Sequence, residues 1–444
     1  MPPVIALILC VGLVTVLLLI ERKNNTEASW ALWVPTFWML ICGSRPVGQW
    51  FGYGQFSPSE SEEAGSPLDR LVLSILILLA LLIISRRKIE WSRILKDNLW
   101  LIFLYLYLAF SILWSDYPYI SFKRWIRLSG AILIALAILS ERSPLKALES
   151  VLRRSAYVLI PFSLLTIKYF PLIGVEYDRW TGVRYWVGVS SQKNGLGMIC
   201  AYLIFLIIWA GLRQWRSGGL FKSRSQTFAD ALVAGIGFHI IRGPGITYSA
   251  TSIAVLVVGI GLLVLFYRGE NLARWMAGRL KAVVATGIII YVLFSAELLP
   301  MVTSFLGRGE SLTGRTDIWR AVLDIASRNP LLGVGYGGFW YLKDDEIASA
   351  FGVHQAHNGY LGVYLEVGIV GVVLLAAFLL SVCGKVRRKI NYTFDWGLFG
   401  ICFLLMVLLY NYSEATFLRP DFLWTTMVFM TIAFSGPSLD AKGT

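Results

Sequence analysis

The sequence predicts an all-α, polytopic membrane protein with about 12–14 transmembrane helices. Of its 444 residues, 57% are hydrophobic and only 15% are charged. The apolar residues form many continuous runs long enough to cross the hydrocarbon core of a bilayer. Because these runs do not alternate with polar residues, they argue against a transmembrane β-barrel. We expect residues 1–444 to form a single integral membrane domain without an appended soluble domain.

Candidate spans follow one another along the whole chain, about thirteen in all. They cover roughly residues 3–20, 29–43, 68–85, 98–114, 126–140, 153–173, 194–212, 228–241, 248–267, 280–300, 357–382, 395–413 and 420–435. The second and eighth are short enough to be tilted or re-entrant. The first lacks the basic segment that precedes the apolar core of a signal peptide, so it is interpreted as a retained span.

Basic residues orient these spans, because cytoplasmic loops are enriched in Lys and Arg. They concentrate in every second loop, at residues 86–96, 142–154, 213–224, 268–281 and 385–389. The intervening loops hold most of the acidic residues. This alternation places the C-terminus inside and the N-terminus outside. It also predicts that the large loop 301–356, between the tenth and eleventh spans, is extracytoplasmic.

The formal net charge of +13 would suggest a nucleic-acid partner in a soluble protein. Here topology accounts for most of it, and we expect no nucleic-acid partner. Basic residues also border the spans on the predicted outer side, where snorkelling or pairing explains some of them. The others are suited to an anionic substrate, most simply a phosphate or pyrophosphate. This outer set comprises Lys123, Arg124, Arg127, Lys168, Arg179, Arg184, Lys193, Arg242, Arg308, Arg315 and Arg419.

Cysteine and histidine usage predicts neither a metal nor another cofactor. All five cysteines fall inside apolar spans, as expected of small buried residues rather than disulfides or metal ligands. The three histidines form no Cys/His or carboxylate cluster of the kind that holds zinc.

Loop 301–356 contains the main candidate site. Helical spacing of apolar residues predicts a short amphipathic helix on the membrane surface. These residues are Ile318, Trp319, Val322, Leu323 and Ala326. Pro330 ends this helix, and Arg315 falls in its first turn. Arg315 is interpreted either as a solvated charge or as an anion ligand.

The glycine-rich segment 333–338 of the same loop lacks the strand and the Gly-Lys-Ser/Thr ending of a phosphate-binding loop. Gly335 and its neighbours instead predict a tight turn, where the backbone passes close to another segment or to a sugar.

His357 and Asn358 lie at the mouth of the eleventh span. Histidine is suited to proton transfer near neutral pH, so His357 is the candidate general base. The alternative is an ordinary interfacial polar residue. His354 is a competitor in the same loop, and His239 is interpreted as structural. Gly368 and Gly371 are expected to let this helix pack closely on another.

Lys193 and Asn194 open the seventh span from the outer side. They are expected to cap this helix. They either hold an anion at its N-terminus or act only as a cap.

Taken together, these motifs resemble the O-antigen ligase and polymerase superfamily of bacterial envelope enzymes. The resemblance rests on Arg315, on the segment 329–335 and on His357-Asn358 followed by Gly368 and Gly371. The segments 43–47, 114–124 and 192–197 resemble its exopolysaccharide-production branch, which is related to succinoglycan polymerases. One departure is the element Ser249-Ala250-Thr251, which carries alanine where the family usually has a basic residue. Arg242, Lys193 and Arg124 are candidates to replace that cation.

The resemblance implies a GT-C-like, inverting, metal-independent glycosyltransferase in the bacterial inner membrane, with its active site facing the periplasm. The donor would be an undecaprenyl-pyrophosphate-linked oligosaccharide and the acceptor a growing polysaccharide. A flippase and a chain-length-control protein are further candidate partners. Arg315 and a second cation would hold the pyrophosphate, and His357 would be the base. The alternatives are a ligase that moves a glycan to a lipid or protein, a small-anion transporter, and a scaffold.

Overall fold

The computed structural model describes residues 1–52, 66–177, 182–218, 223–245, 247–305, 319, 322–341 and 355–436, and it confirms the all-α prediction. Within these ranges the strands are β1 (Val175–Tyr177) and β2 (Arg184–Trp186). They form one antiparallel pair in which Glu176 lies opposite Tyr185.

Helices occupy most of the remaining described chain. Before the strand pair they are α1 (Pro3–Asn24), α2 (Trp33–Cys42), α3 (Val47–Trp50), α4 (Pro67–Ser85), α5 (Trp91–Asp97), α6 (Leu99–Phe110), α7 (Pro118–Leu139), α8 (Pro144–Tyr169) and α9 (Pro171–Gly174). After it they are α10 (Lys193–Arg216), α11 (Arg224–Arg242), α12 (Ala250–Arg268), α13 (Glu270–Phe305), α14 (Gly359–Tyr392), α15 (Phe394–Ser413) and α16 (Phe422–Ala433).

Every predicted span coincides with one of these helices. Among the described residues, seven helices are long and apolar enough to cross a membrane: α1, α4, α8, α10, α12, α14 and α15. The number rises to eight if α5 and α6, which meet at a 79° bend, are counted as one broken span. The other predicted spans correspond to α2, α7, α11, α13 and α16. The protein is therefore a polytopic membrane protein.

Burial separates central helices from peripheral ones. The apolar windows of α8 and α10 are 83% and 78% buried, whereas that of α1 is 17% buried. An apolar helix that is not covered by other helices of the protein is suited to face lipid. The central helices α8, α10, α15 and α16 therefore form the core on which the outer loops are mounted.

Two arginines that the sequence placed among the topology-setting loop charges are instead buried inside α8. Arg153 and Arg154 are 5% and 4% exposed. Arg154 Nε lies 2.7 Å from a carboxylate oxygen of Glu21 on α1, and Arg153 Nε lies 3.2 Å from Asp230 Oδ1 on α11. A buried charge is tolerated only when it is paired, so these arginines join helices inside the protein.

Helix α14 is broken at Gly368, which has φ +63° and ψ −167°. The break leaves backbone groups on both sides of Gly368 without partners inside the helix. The segment 330–335 of the large loop supplies them through four backbone hydrogen bonds. These are Ile369 N to Pro330 O at 2.9 Å, Val370 N to Leu331 O at 3.2 Å, Gly335 N to Glu366 O at 2.8 Å and Val334 N to Leu365 O at 3.4 Å. The segment 329–335 and the helix break at Gly368, which are distant in the sequence, are therefore hydrogen-bonded to each other.

This contact corrects the predicted role of Gly368, which breaks its helix rather than allowing two intact helices to approach. A Cβ on Gly368 would collide with the carbonyl group of Leu331. At Gly371 a Cβ would collide with Val367 of the same helix, whereas its distance of 3.5 Å from the Tyr107 ring is an ordinary contact, so this glycine serves the break rather than helix packing.

The amphipathic segment of the large loop packs on α14, whereas the sequence suggested a helix on the membrane surface. Residues 322–326 are helical. Val322 and Ala326 are buried in one apolar cluster with Leu361 and Leu365 of α14. Phe339 and Trp340 complete this cluster. The described part of the loop is therefore folded against the protein directly above the start of α14.

Candidate active site

His357 immediately precedes α14 and has a strained backbone. Its φ is +47°, in a region that side chains other than glycine's enter at a cost of about 1–2 kcal/mol. Asn358 holds this conformation as the N-cap of α14. Its Oδ1 accepts hydrogen bonds from the N–H groups of Tyr360 and Leu361, each at 3.1 Å, and the residue is fully buried. Asn358 thus fixes where α14 begins and, with it, the position of His357 just before the helix.

The imidazole of His357 faces a buried carboxylate. His357 Nδ1 lies 3.3 Å from Glu414 Oε2, and the two side chains are 23% and 6% exposed. Since Glu414 is an acceptor when ionised, the proton of the neutral imidazole is assigned to Nδ1. Nε2 then keeps its lone pair and can accept a proton. The partly exposed imidazole has the orientation of a general base, with a carboxylate behind it.

Asn194 holds the other oxygen of Glu414. Its Nδ2 donates to Glu414 Oε1 at 2.6 Å, and its Oδ1 accepts from Ser249 Oγ at 3.3 Å. The sequence assigned Lys193 and Asn194 to capping α10, but the N-cap is Gln192. Asn194 instead links α10 to the carboxylate. The hydrogen bond from Asn194 fixes the position of the buried carboxyl group of Glu414.

Lys193 begins α10 next to Asn194. Its ammonium group lies 5.6 Å from the centre of the Tyr185 ring on β2, within range of a cation–π contact. The ammonium group of Lys193 therefore belongs to the residue directly before Asn194, whose amide binds the Glu414 carboxylate.

The element Ser249-Ala250-Thr251 belongs to the same cluster. Ser249 is the N-cap residue of α12, and Thr251 Oγ1 lies 2.9 Å from Ser413 Oγ. A Cβ on Gly197 would lie 2.6 Å from Ser249 Cβ, so this glycine allows α10 to pack against the start of α12. Ala250 therefore sits beside the Asn194–Glu414 pair, and a cation missing from position 250 is missing from this site.

Arg242 is exposed at the C-terminal end of α11. Its side chain makes no hydrogen bond or ion pair with any other residue that the structure describes. Ser249 is hydrogen-bonded to Asn194, the residue next to Lys193, so the two candidate cations differ in their sequence neighbours at this cluster.

Arg124 belongs to a neighbouring cluster built on the glycine turn. Its guanidinium donates to the carbonyl of Gly337, and Gly337 N donates to Glu366 Oε2 at 3.2 Å. Gly335 has φ +95°, and a Cβ there would lie 2.6 Å from Ser115 Cβ. Of the two interpretations of this turn, close passage of another protein segment is therefore confirmed. The contact of Arg124 with Gly337 stabilises the turn.

The loop between α15 and α16 joins the two clusters. It starts at Glu414, and its Leu418 carbonyl accepts a hydrogen bond from Tyr336 OH at 2.8 Å. Burial raises the pKa of Tyr336, so its hydroxyl remains a donor. Asn411, fully buried in α15, accepts from the N–H groups of Thr416 and Phe417 at 2.9 and 3.0 Å. Asn411 thereby shapes the loop that presents Glu414 to His357.

Arg315 and His354 lie outside the described residues. Trp319, four positions after Arg315 in the sequence, donates from its indole N–H to the carbonyl of Ala356 at 2.7 Å. This bond ties the amphipathic segment to the residue that precedes His357. His239 contacts Trp186, with a ring separation of 5.4 Å, in keeping with a structural role.

The sequence interpretation missed Glu414 and Asn411. The available signal was the polar interruption at the end of an apolar span, where Asn411 and Glu414 end α15. That signal does not reveal its partner, because His357 lies 57 residues earlier in the chain.

Comparison with known proteins matches residues 240–376 to the O-antigen ligase family. The exopolysaccharide production protein ExoQ of Rhizobium meliloti (strain 1021) is 25% identical over 352 residues, covering 74% of this chain and 75% of that protein. Both matches support the resemblance of this chain to the O-antigen ligase/polymerase superfamily. The matched segment contains Ser249 and His357 but ends before Glu414, so the structure rather than the match associates Glu414 with the site. These similarities support a membrane enzyme of the O-antigen ligase/polymerase type, glycosyltransferase-like in kind.

Proposed function

We propose that this protein polymerises undecaprenyl-pyrophosphate-linked oligosaccharide repeat units into an exopolysaccharide at the periplasmic face of the inner membrane. The observation that carries the proposal is the His357–Glu414 pair, 3.3 Å apart at the mouth of α14. A histidine with a buried carboxylate behind it is the arrangement that proton abstraction from a sugar hydroxyl requires. The relation to an exopolysaccharide production protein favours a polymerase.

In the proposed reaction, His357 Nε2 takes the proton from a hydroxyl of the acceptor. The resulting oxygen nucleophile attacks the anomeric carbon of the donor, and a new glycosidic C–O bond forms. The C–O bond to the pyrophosphate breaks, and the electron pair leaves with the lipid pyrophosphate. Attack opposite the leaving group inverts the anomeric configuration. Glu414 stabilises the imidazolium that forms and holds the ring in position.

Cationic side chains stabilise the charge that develops on the pyrophosphate. We assign this role to Arg315 and Lys193. Arg315 belongs to the segment that Trp319 anchors at Ala356, and Lys193 adjoins Asn194. Lys193 is preferred over Arg242 as the replacement for the cation missing at Ala250, because the Ser249–Asn194 bond puts these residues in one cluster.

Arg124 is assigned a positioning role, since its guanidinium already binds the glycine turn. With side chains supplying the positive charge, the proposed reaction needs neither a metal nor another cofactor.

A ligase is the second candidate, because the matched family is described as O-antigen ligase. Both reactions use the same donor and base and differ in the acceptor. An assay of the purified protein distinguishes the polymerase from the ligase. The protein is given a lipid-linked repeat alone, and then the repeat together with a lipid or protein acceptor. A ladder of products formed without an added acceptor indicates a polymerase.

The decisive experiment compares two histidine variants in this assay, in lipid, with no added metal and chain length read on a gel. General-base catalysis contributes about 10²–10⁴-fold, so His357→Ala is expected to lower turnover by that factor. His354→Ala is the matched control and is expected to cost much less. An active His357→Ala variant beside an inactive His354→Ala variant would contradict the assignment. If both stay active, the proposal of base catalysis fails.

The proposed orientation has its own test. Ser311→Cys is expected to react with an impermeant maleimide on intact cells, and Ser92→Cys is not, because loop charge places the first outside and the second inside. Labelling of Ser92→Cys without labelling of Ser311→Cys would reverse the topology.

A further inference from the structure

A basic pocket lies at the opposite end of α14 from His357. It has a volume of about 520 Å³ and is lined by α5, α6, α13 and α14. Its charged residues are Lys96, Lys281, Arg387, Arg388 and Asp97. Four cations and one carboxylate leave three net positive charges in a single pocket, which attracts an anion.

Most of this charge is not neutralised by the protein. Arg388 Nη1 lies 3.4 Å from Asp97 Oδ1, so the one carboxylate of the pocket is already paired with Arg388. The side chains of Lys96, Lys281 and Arg387 form no hydrogen bond or ion pair with other residues in the described ranges. They come from three different helices, so the fold rather than the local sequence brings them together.

The pocket is a built feature of the α5–α6 bend. Asn98, at the bend, is 4% exposed, and its Nδ2 donates to Ile94 O at 2.8 Å and to Ser435 Oγ at 3.1 Å. Asn98 Oδ1 accepts a hydrogen bond from Lys385 Nζ at 2.5 Å. This buried polar contact ties the bend to α14 and so fixes the helices that carry Lys96 and Arg387.

Lys281 of α13 lies against α14 at Gly384. A Cβ at this position would lie 3.4 Å from Lys281 Cε and 3.6 Å from its Nζ. The ammonium group of Lys281 therefore reaches across α14 toward the two arginines one turn further on.

The surroundings of the pocket identify the source of the anion. Trp100 lines it and is 45% exposed, and the neighbouring Leu99 and Phe103 are 47% and 49% exposed. Exposed Trp beside apolar residues and basic groups is typical of a membrane interface. Basic pockets between membrane helices on the cytoplasmic side bind anionic lipid headgroups. Loop charge predicts that this end of the protein is cytoplasmic.

We propose that this pocket binds the phosphate of an anionic phospholipid from the inner leaflet. The phosphate lies among Lys96, Lys281 and Arg387, and the acyl chains run along Trp100 and Phe103. The site is separate from the His357 site and does not depend on the proposed reaction.

The test uses the full chain in detergent and native mass spectrometry to measure apparent Kd values for phosphatidylglycerol and phosphatidylcholine. The wild type is expected to prefer phosphatidylglycerol by about tenfold or more, which corresponds to roughly two neutralised basic contacts. A basic residue near a membrane phosphate contributes about 1 kcal/mol, so Lys281→Gln with Arg387→Gln should weaken phosphatidylglycerol binding about 20–30-fold. Phosphatidylcholine binding should not change.

The matched control is Arg93→Gln with Arg279→Gln, which removes the same charge from α5 and α13 outside the pocket. It should leave phosphatidylglycerol binding within about threefold of wild type. Equal weakening by both pairs, or equal wild-type affinity for the two lipids, would overturn the proposal. Displacement of phosphatidylglycerol by equimolar inorganic phosphate would show a soluble anion as the ligand and would also overturn it. If the pocket variant does not fold, Lys281→Arg with Arg387→Lys should retain the preference, and the wild-type comparison still decides.

Discussion

Replacing Glu414 by Gln tests the chemical centre of the site with little change in shape. The carboxylate accepts from Asn194 at 2.6 Å and faces His357 Nδ1 at 3.3 Å. In the variant, the amide oxygen can still accept from Asn194, but the NH₂ group then faces His357. The imidazole must turn its Nδ1 lone pair toward that NH₂ and carry its proton on Nε2, where it cannot act as a base.

The distance sets the size of the effect. At 3.3 Å, a carboxylate and an imidazolium attract by about 5 kcal/mol at an effective dielectric constant of about 20, which is an upper bound for a partly exposed pair. Each 1.36 kcal/mol is a tenfold change in rate, so Glu414→Gln should lower turnover by about 10²–10⁴-fold.

The assay is single-turnover extension of a lipid-linked repeat, with the amount and monodispersity of each purified variant checked first. Glu414→Asp keeps the charge and should retain more activity than Glu414→Gln. Glu176→Gln, which changes an exposed carboxylate on β1, is the control and should be near wild type. A Glu414→Gln variant within fivefold of wild type would refute the role assigned to this pair.

Three further predictions concern the backbone and the cations. Gly368→Ala should lower the free energy of unfolding by at least about 1–2 kcal/mol, because the φ of Gly368 is +63° and a Cβ would meet a backbone carbonyl. Thermal unfolding measures this change. Gly211→Ala is the control, since Gly211 faces open space within α10, and it should be neutral or stabilising. Lys193→Ala should reduce polymer length and yield more than Arg242→Ala, and the reverse order would make Arg242 the second cation. Arg315→Ala should abolish polymer and leave lipid-linked repeats, with little recovery in Arg315→Lys if two-pronged contact is needed, whereas near-normal polymer would remove Arg315 from the site.

The sequence was sufficient for the fold class, because apolar length is a local property. Each predicted span coincides with a helix, and the segment 194–212 lies within Lys193–Arg216. His357 could also be singled out, as a titratable residue at the end of a span.

Its partner could not be predicted. Glu414 approaches His357 only because Asn411 shapes one loop and Asn358 caps another helix. Likewise, the pairing of segment 330–335 with the break at Gly368 is a contact between distant parts of the chain. No periodicity or spacing in one sequence reports such contacts.

The break at Gly368 makes α14 mechanically two rods rather than one. The large loop is hydrogen-bonded to both rods, to Leu365 and Glu366 of the outer one and to Ile369 and Val370 of the inner one. It therefore acts as a splint across the break. A change in the tilt of the inner rod, as the bilayer thickens or thins around it, is transmitted to the same loop that packs above the start of α14, next to His357.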